Sequence, residues 1–182
     1  MSTFTYFAYG SNMLLERLRA ENRCPSARVI GPAIAQDYEL CFAKRSKDGS
    51  GKATLVQQTR ASVHGVLFAV DDSERDRLKK TEGAGIGYYS VDDFPVFDVQ
   101  EATIRNAMSF FAAPAFFDRK LRPFDWYHAL VLAGAKQNAL PVDHLRIIRN
   151  IAPIADPVES RPTRIEALKA LQQSGFETLI GN

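Results

Sequence analysis

The chain has 182 residues, of which 46% are apolar, enough to build a core for about one domain without disulfides or a structural metal. Its 23 basic and 21 acidic residues leave a formal charge of +2, too small for the electrostatic footprint of a nucleic-acid or anionic-membrane binder. Cys24 and Cys41 are too far apart for a metal knuckle, and His64, His128 and His144 are scattered, so no metal site is expected.

Residues 1–182 are expected to form a single domain. The N-terminus has no basic segment followed by a long apolar run, and no later stretch is long enough to span a bilayer. A soluble, cytoplasmic protein with reduced thiols is therefore expected.

The aromatic and β-branched residues of Thr3 to Tyr9 predict a strand, and Leu14, Leu15 and Leu18 predict a helix running to about Asn22. Gly10 is the turn between them, where a missing Cβ permits unusual backbone angles or close ligand approach, and Ser11 or Asn12 can cap the helix. Such a turn suits a carboxylate or an oxyanion, although ordinary strand-to-helix turns share its pattern.

Ala27 to Gln36 and Tyr38 to Ala43 read as strands broken by Gly31-Pro32, and Ala53 to Gln57 and Val63 to Val70 as further strands. The basic stretch Lys44 to Lys52, with Gly49 and Gly51 among its polar residues, could grip a phosphate or a substrate carboxylate, but without the spacing of a phosphate loop it reads as a solvated, mobile loop, and His64 as a packed or edge residue. Asp72 or Ser73 caps a short helix that ends at Lys79 to Gly83, followed by the glycine-rich Gly83-Ala84-Gly85-Ile86-Gly87. Tyr88 to Val99 and Ala102 to Phe111 complete the strands, with Met108, Phe110 and Phe111 assigned to the core.

From Asp125 the pattern turns helical, with starts at Asp125, Pro141 and Pro162. Strands first and helices last predict an α+β fold: a mixed sheet curled into a small barrel with helices packed outside.

Glu82 stands out among the acids because it precedes the glycine-rich loop with no basic neighbour closer than Lys80. Folded over an apolar pocket, that loop would make it a candidate general base and acid; otherwise it is the last exposed residue before a C-cap glycine. Tyr127 is either core or a hydroxyl reaching a buried ligand, and of Tyr88 and Tyr89 at most one can face a pocket.

Three ordered blocks give these signals a common meaning. They are Tyr6-Phe7-Ala8-Tyr9-Gly10-Ser11-Asn12-Met13, then Glu82-Gly83 with Gly87-Tyr88-Tyr89, then Tyr127 with Gly134-Ala135-Lys136-Gln137-Asn138-Ala139-Leu140-Pro141. Together they resemble the γ-glutamylcyclotransferase family over about residues 3 to 150.

The resemblance implies an α+β barrel-like fold and a cofactor-independent reaction in which the α-amine of a γ-glutamyl amide attacks its own γ-carbonyl to give 5-oxoproline. It implies Glu82 as the catalytic acid–base, and Tyr6, Phe7, Ala8, Tyr9, Gly10, Ser11, Asn12 and Tyr127 as substrate-binding residues. The implied partner is a small-molecule γ-glutamyl substrate, with no metal, nucleic acid or membrane, and the oligomeric state is left open, a homodimer included.

Lys79-Lys80 stand where relatives often carry an acidic pair, and Ser90 where many carry arginine; both departures bear on the leaving group. The alternatives are a γ-glutamylamine cyclotransferase and a non-catalytic module binding a γ-glutamyl or 5-oxoproline ligand. Glu82 as a buried, unpaired acid argues against the module, which would gain nothing for its cost in stability.

Overall fold

The computed structural model describes residues 2–180. Five strands carry the architecture: β1 (Thr3–Ala8), β2 (Arg28–Arg45), β3 (Gly51–Asp71), β4 (Tyr88–Asp98) and β5 (Thr103–Ala112). Helices follow or interrupt them: α1 (Leu15–Leu18), α2 (Arg75–Glu82), α3 (Asp125–Gln137), α4 (Val142–Arg149) and α5 (Pro162–Gln173). Among the described residues no helix is long and apolar enough to cross a membrane.

The strand order is β1-β3-β2-β4-β5, and the sheet closes on itself where β1 meets β5 in parallel at Tyr6 and Met108. All the other pairings are antiparallel, so the sheet is mixed and the fold α+β, as the order of elements in the sequence predicts. Ser109 adds to the closing seam by donating from its hydroxyl to the carbonyl of Phe7 at 3.0 Å.

Several elements differ from the sequence reading. Gly31-Pro32 does not end a strand. It sits beside a register shift between Val29 and Gly31, so β2 bends and continues for 18 residues against an equally continuous β3. The helix expected from Leu14 to about Asn22 shrinks to a 3₁₀ turn at Ser11–Met13 and the four residues of α1, because Leu14 is extended between them and the amide of Cys24 folds back onto the carbonyl of Leu18.

Neither Ser11 nor Asn12 caps through its side chain. Asp72 and Ser73 likewise give no side-chain cap, and a 3₁₀ turn at Asp72–Glu74 leads into α2 instead. The stretch Lys44 to Lys52 is not all loop: its ends belong to β2 and β3, joined by a tight turn in which the Ser46 amide donates to the Ser50 carbonyl, and Ser50 is buried.

Helix α3 is apolar nearly all round, with Trp126 to Ala135 buried, and this makes it the central helix of the packing. Its last turn lies against the Gly10-to-Leu15 segment. A Cβ on Gly134 would stand 2.5 Å from the Leu14 nitrogen and 2.6 Å from the Met13 Cβ, so only glycine lets the helix come this close. Asn138 then donates to the carbonyls of Met13 and Gly134 at 2.9 and 2.8 Å, and the amide of Leu15 donates to Gln137 Oε1 at 3.0 Å.

Candidate active site

Three separate elements bring the site together. Strand β1 delivers Tyr6, the turn after it delivers Tyr9, Gly10, Ser11 and Asn12, and the end of α2 delivers Glu82. Gly83 takes the left-handed conformation (φ 72°) that stops α2, so Glu82 is the last helical residue; its side chain is nevertheless only 19% exposed. Ala53, Tyr88, Phe110 and Tyr127 close the remaining walls of a narrow inner recess.

The carboxylate of Glu82 is gripped on one oxygen. Oε1 accepts from Asn12 Nδ2 at 2.9 Å and from Arg23 Nη1 at 2.9 Å, while Oε2 takes no protein donor among the described residues. Asn12 Nδ2 also donates to the Tyr6 hydroxyl at 3.1 Å, and Arg23 Nη1 lies 3.4 Å from Asn12 Oδ1. The expectation of an unpaired acid is therefore corrected: Arg23, from the loop after α1, compensates its charge. No feature of the sequence around Asn22-Arg23-Cys24 singles out this arginine, whose partner lies 59 positions away.

The tyrosines form a low-dielectric wall. Burial raises Tyr6, Tyr9 and Tyr88 well above the ordinary phenol value and also raises Tyr127, so all four hydroxyls are fixed as neutral hydrogen-bonding groups. Tyr9 donates to the carbonyl of Phe110, Tyr88 to the carbonyl of Ala53 at 2.5 Å, and the Ala53 amide donates to the Tyr127 hydroxyl at 3.1 Å. Tyr88 lines the recess and Tyr89 is 47% exposed, in line with the strand alternation.

Gly10 has an ordinary negative φ of −115°, so the need for glycine here is one of space. A Cβ would lie 3.1 Å from Ala53 Cβ and 3.3 Å from the Tyr127 hydroxyl. The first hydrogen bond of the following turn runs from the Met13 amide to the Gly10 carbonyl, which leaves the amides of Ser11 and Asn12 ahead of it.

Phe7 and Ala8 do not line the recess. Phe7 is wholly buried, its ring packed near Phe94 and Tyr9, and Ala8 is buried against β3, so both support the site from within the core.

Beyond Glu82 the recess opens into an outer chamber of about 160 Å³ that shares Ser11, Glu82, Tyr88 and Tyr127 with it. Arg17, Lys44 and Lys52 lie on its walls; the sequence marked the stretch from Lys44 to Lys52 as a loop or an anion grip, but not Arg17. Lys52 is bound to Asp48 at 3.2 Å and lies 4.4 Å from the Trp126 ring centre; burial pushes its ammonium down to about 8.

Comparison with known proteins places the chain as a whole. The human γ-glutamylcyclotransferase is 32% identical over 160 residues, covering 83% of this chain and 80% of the human protein. The chain belongs to the γ-glutamylcyclotransferase family. The mouse γ-glutamylcyclotransferase matches to the same extent, 32% over 160 residues with 83% and 80% of the two chains covered.

The AIG2-like family model matches residues 62–147, which include Glu82 and Tyr127. Among solved structures, a γ-glutamyl cyclotransferase superposes with a TM-score of 0.81 at 28% identity, over 92% of this chain and 99% of its own. The γ-glutamylcyclotransferase family thus accounts for the barrel and its helices, while the paired Arg23 and Glu82 are read from this chain's own geometry.

Proposed function

We propose that the chain is a cofactor-independent γ-glutamylcyclotransferase, converting γ-glutamyl amino acids or short peptides into 5-oxoproline and a free amine. The observation that carries this is the asymmetric grip on Glu82, with Oε1 held by Asn12 and Arg23 and Oε2 free beside the Gly10 turn. Nucleophile and electrophile belong to one substrate, so the protein has to fold the glutamyl chain and move protons.

In this mechanism the inner recess, walled by Tyr6, Tyr9, Gly10, Ser11, Asn12 and Tyr127 and with about 30 Å³ of free space, takes the γ-carbonyl end of the glutamyl unit. Glu82 Oε2 takes a proton from the α-ammonium, and the amine closes on the γ-carbonyl carbon to form the ring C–N bond. The Ser11 and Asn12 amides stabilise the oxyanion that develops on the γ-oxygen. As the old amide C–N bond breaks, Glu82 returns its proton to the departing nitrogen, and the second proton lost by the ring nitrogen also ends on the released amine.

Every group named comes from one chain, so the reaction asks for no second copy. We take residues 1–182 as one domain, because α3 in the C-terminal half holds the turn that follows β1. A cytoplasmic setting, with neither nucleic acid nor membrane as partner, agrees with two free cysteines and a net charge of +2.

The test is 5-oxoproline release from γ-glutamyl-alanine and from ε-(γ-glutamyl)-lysine. Faster turnover of γ-glutamyl-alanine is expected. Preference for the isopeptide would make the chain a γ-glutamylamine cyclotransferase, and calorimetric binding of 5-oxoproline without turnover of either substrate would make it a binding module.

A further inference from the structure

The outer chamber holds more positive charge than the chain neutralises. Arg23 is engaged with Glu82 and Lys52 with Asp48, but Arg17 and Lys44 have no carboxylate within ion-pair distance among the described residues. Arg17 is only 8% exposed, and its Nε donates to Ser11 Oγ at 3.0 Å. Burial, together with the neighbouring charge of Arg23, pushes its guanidinium down to about 9.

Lys44, at the end of β2, carries its ammonium 4.6 Å from the centre of the Tyr88 ring, and burial lowers it too. It runs along the glycine-rich loop so closely that a Cβ on Gly87 would meet its Cε at 2.8 Å. Desolvated cations without counter-charge destabilise a fold, and an anion entering with the ligand would remove that penalty.

The position of these cations names the anion. Neither Arg17 nor Lys44 lines the inner recess; both line the outer chamber, which shares Glu82 and Tyr88 with the recess, and Arg17 also borders a larger surface cavity of about 670 Å³ beside Arg19 and Glu166. With the glutamyl unit seated inside, the group attached to its γ-amide nitrogen extends into this chamber. Resting on the cyclisation described above, we propose that Arg17 and Lys44 form a carboxylate-reading subsite for the leaving group. They select γ-glutamyl amino acids and peptides, whose carboxylate lies close to the scissile nitrogen, over γ-glutamylamines. Arg17 offers the planar fork suited to a carboxylate, and Lys44 a flexible second charge in the same chamber.

The experiment compares kcat/KM for γ-glutamyl-alanine with that for γ-glutamyl-alaninamide, which differ only in the leaving-group charge. Wild-type protein is expected to favour the acid by about tenfold to a hundredfold, the usual worth of a hydrogen bond to a charged group. Lys44→Gln should bring that ratio to within a few-fold, and Lys44→Arg should retain most of it; Arg17→Lys, which keeps the charge but loses the fork, should fall between.

Equal wild-type rates on the two substrates would overturn the subsite, as would a Lys44→Gln defect of the same size on both. If neither substrate releases 5-oxoproline, the cyclisation itself fails and the subsite falls with it.

Discussion

Arg23 and Glu82, 59 positions apart in the chain, meet in a 2.9 Å ion pair that occupies Oε1 of the carboxylate and leaves Oε2 without a protein donor among the described residues. The pairing fixes which oxygen faces the chemistry. It also gives the buried acid a structural partner, so Glu82 serves the fold as well as the chemistry.

Glu82→Gln is expected to bind 5-oxoproline about as well as the wild type, because the amide oxygen can still accept from Asn12 and Arg23. Its cyclisation rate should fall on the order of a hundredfold to ten-thousandfold, the range for a positioned acid–base group. Calorimetry with 5-oxoproline and 5-oxoproline release from γ-glutamyl-alanine check the two halves; near-normal turnover would remove Glu82 from the mechanism.

Much of this site is legible in the sequence, because local constraints write it there. Tyr6 to Asn12 are contiguous, Gly83 marks the end of α2 directly after Glu82, and the aromatic pair Tyr88-Tyr89 splits by strand alternation into one inward and one outward ring. What the sequence hid is long-range. Arg23 meets Glu82 only because Cys24 turns the chain back onto Leu18, and Lys52 is buried only because Trp126 and Tyr127 of α3 cover it.

Periodicity also misjudged continuity. Gly31-Pro32 looks like an interruption, but it bends a strand that closes a barrel. The leucines of the first helix satisfy a helical spacing over a segment that the fold uses as two short turns.

Gly10→Ala should cost activity more than stability. The φ of Gly10 is negative, so the change in unfolding free energy should stay within about 1 kcal/mol, yet the new methyl must displace Ala53 or the Tyr127 hydroxyl by a few tenths of an ångström. A fall in kcat/KM of about tenfold or more at an almost unchanged denaturation midpoint is expected; wild-type kinetics would mean the recess is not used.

Gly134→Ala should lower stability and activity together. Its Cβ would overlap the Leu14 nitrogen and the Met13 side chain, forcing α3 off the turn at about 1–3 kcal/mol. Urea unfolding and 5-oxoproline release measured on the same preparation check this, and loss of only one of the two would separate the helix from the site.

Acid sensitivity should trace in part to His144. It is 2% exposed, both its ring nitrogens lack partners among the described residues, and its ring lies 5.4 Å from that of His64 on β3. Burial, reinforced by His64, lowers it to about 4. The unfolded chain therefore binds the proton first as pH falls, so the stability contribution is whole above about pH 6.5 and is lost between there and about pH 4.

By pH 5 that loss is about 2 kcal/mol relative to pH 7.5. His144→Phe should flatten this part of the curve in urea unfolding at the two pH values, and an unchanged slope would assign the effect to other groups.

The grip of α3 on the turn has a further consequence for how this protein can vary. Asn138 and Gln137 hold the carbonyl of Met13 and the amide of Leu15, which are main-chain atoms that every amino acid except proline supplies in full. The seat is thus tied at main-chain atoms, and at position 15, where the side chain is only partly buried, its shape is insulated from side-chain identity. A lineage, or an engineer, could exchange Leu15 while the geometry presented to the substrate stays fixed, whereas the wholly buried Met13 has to keep its volume.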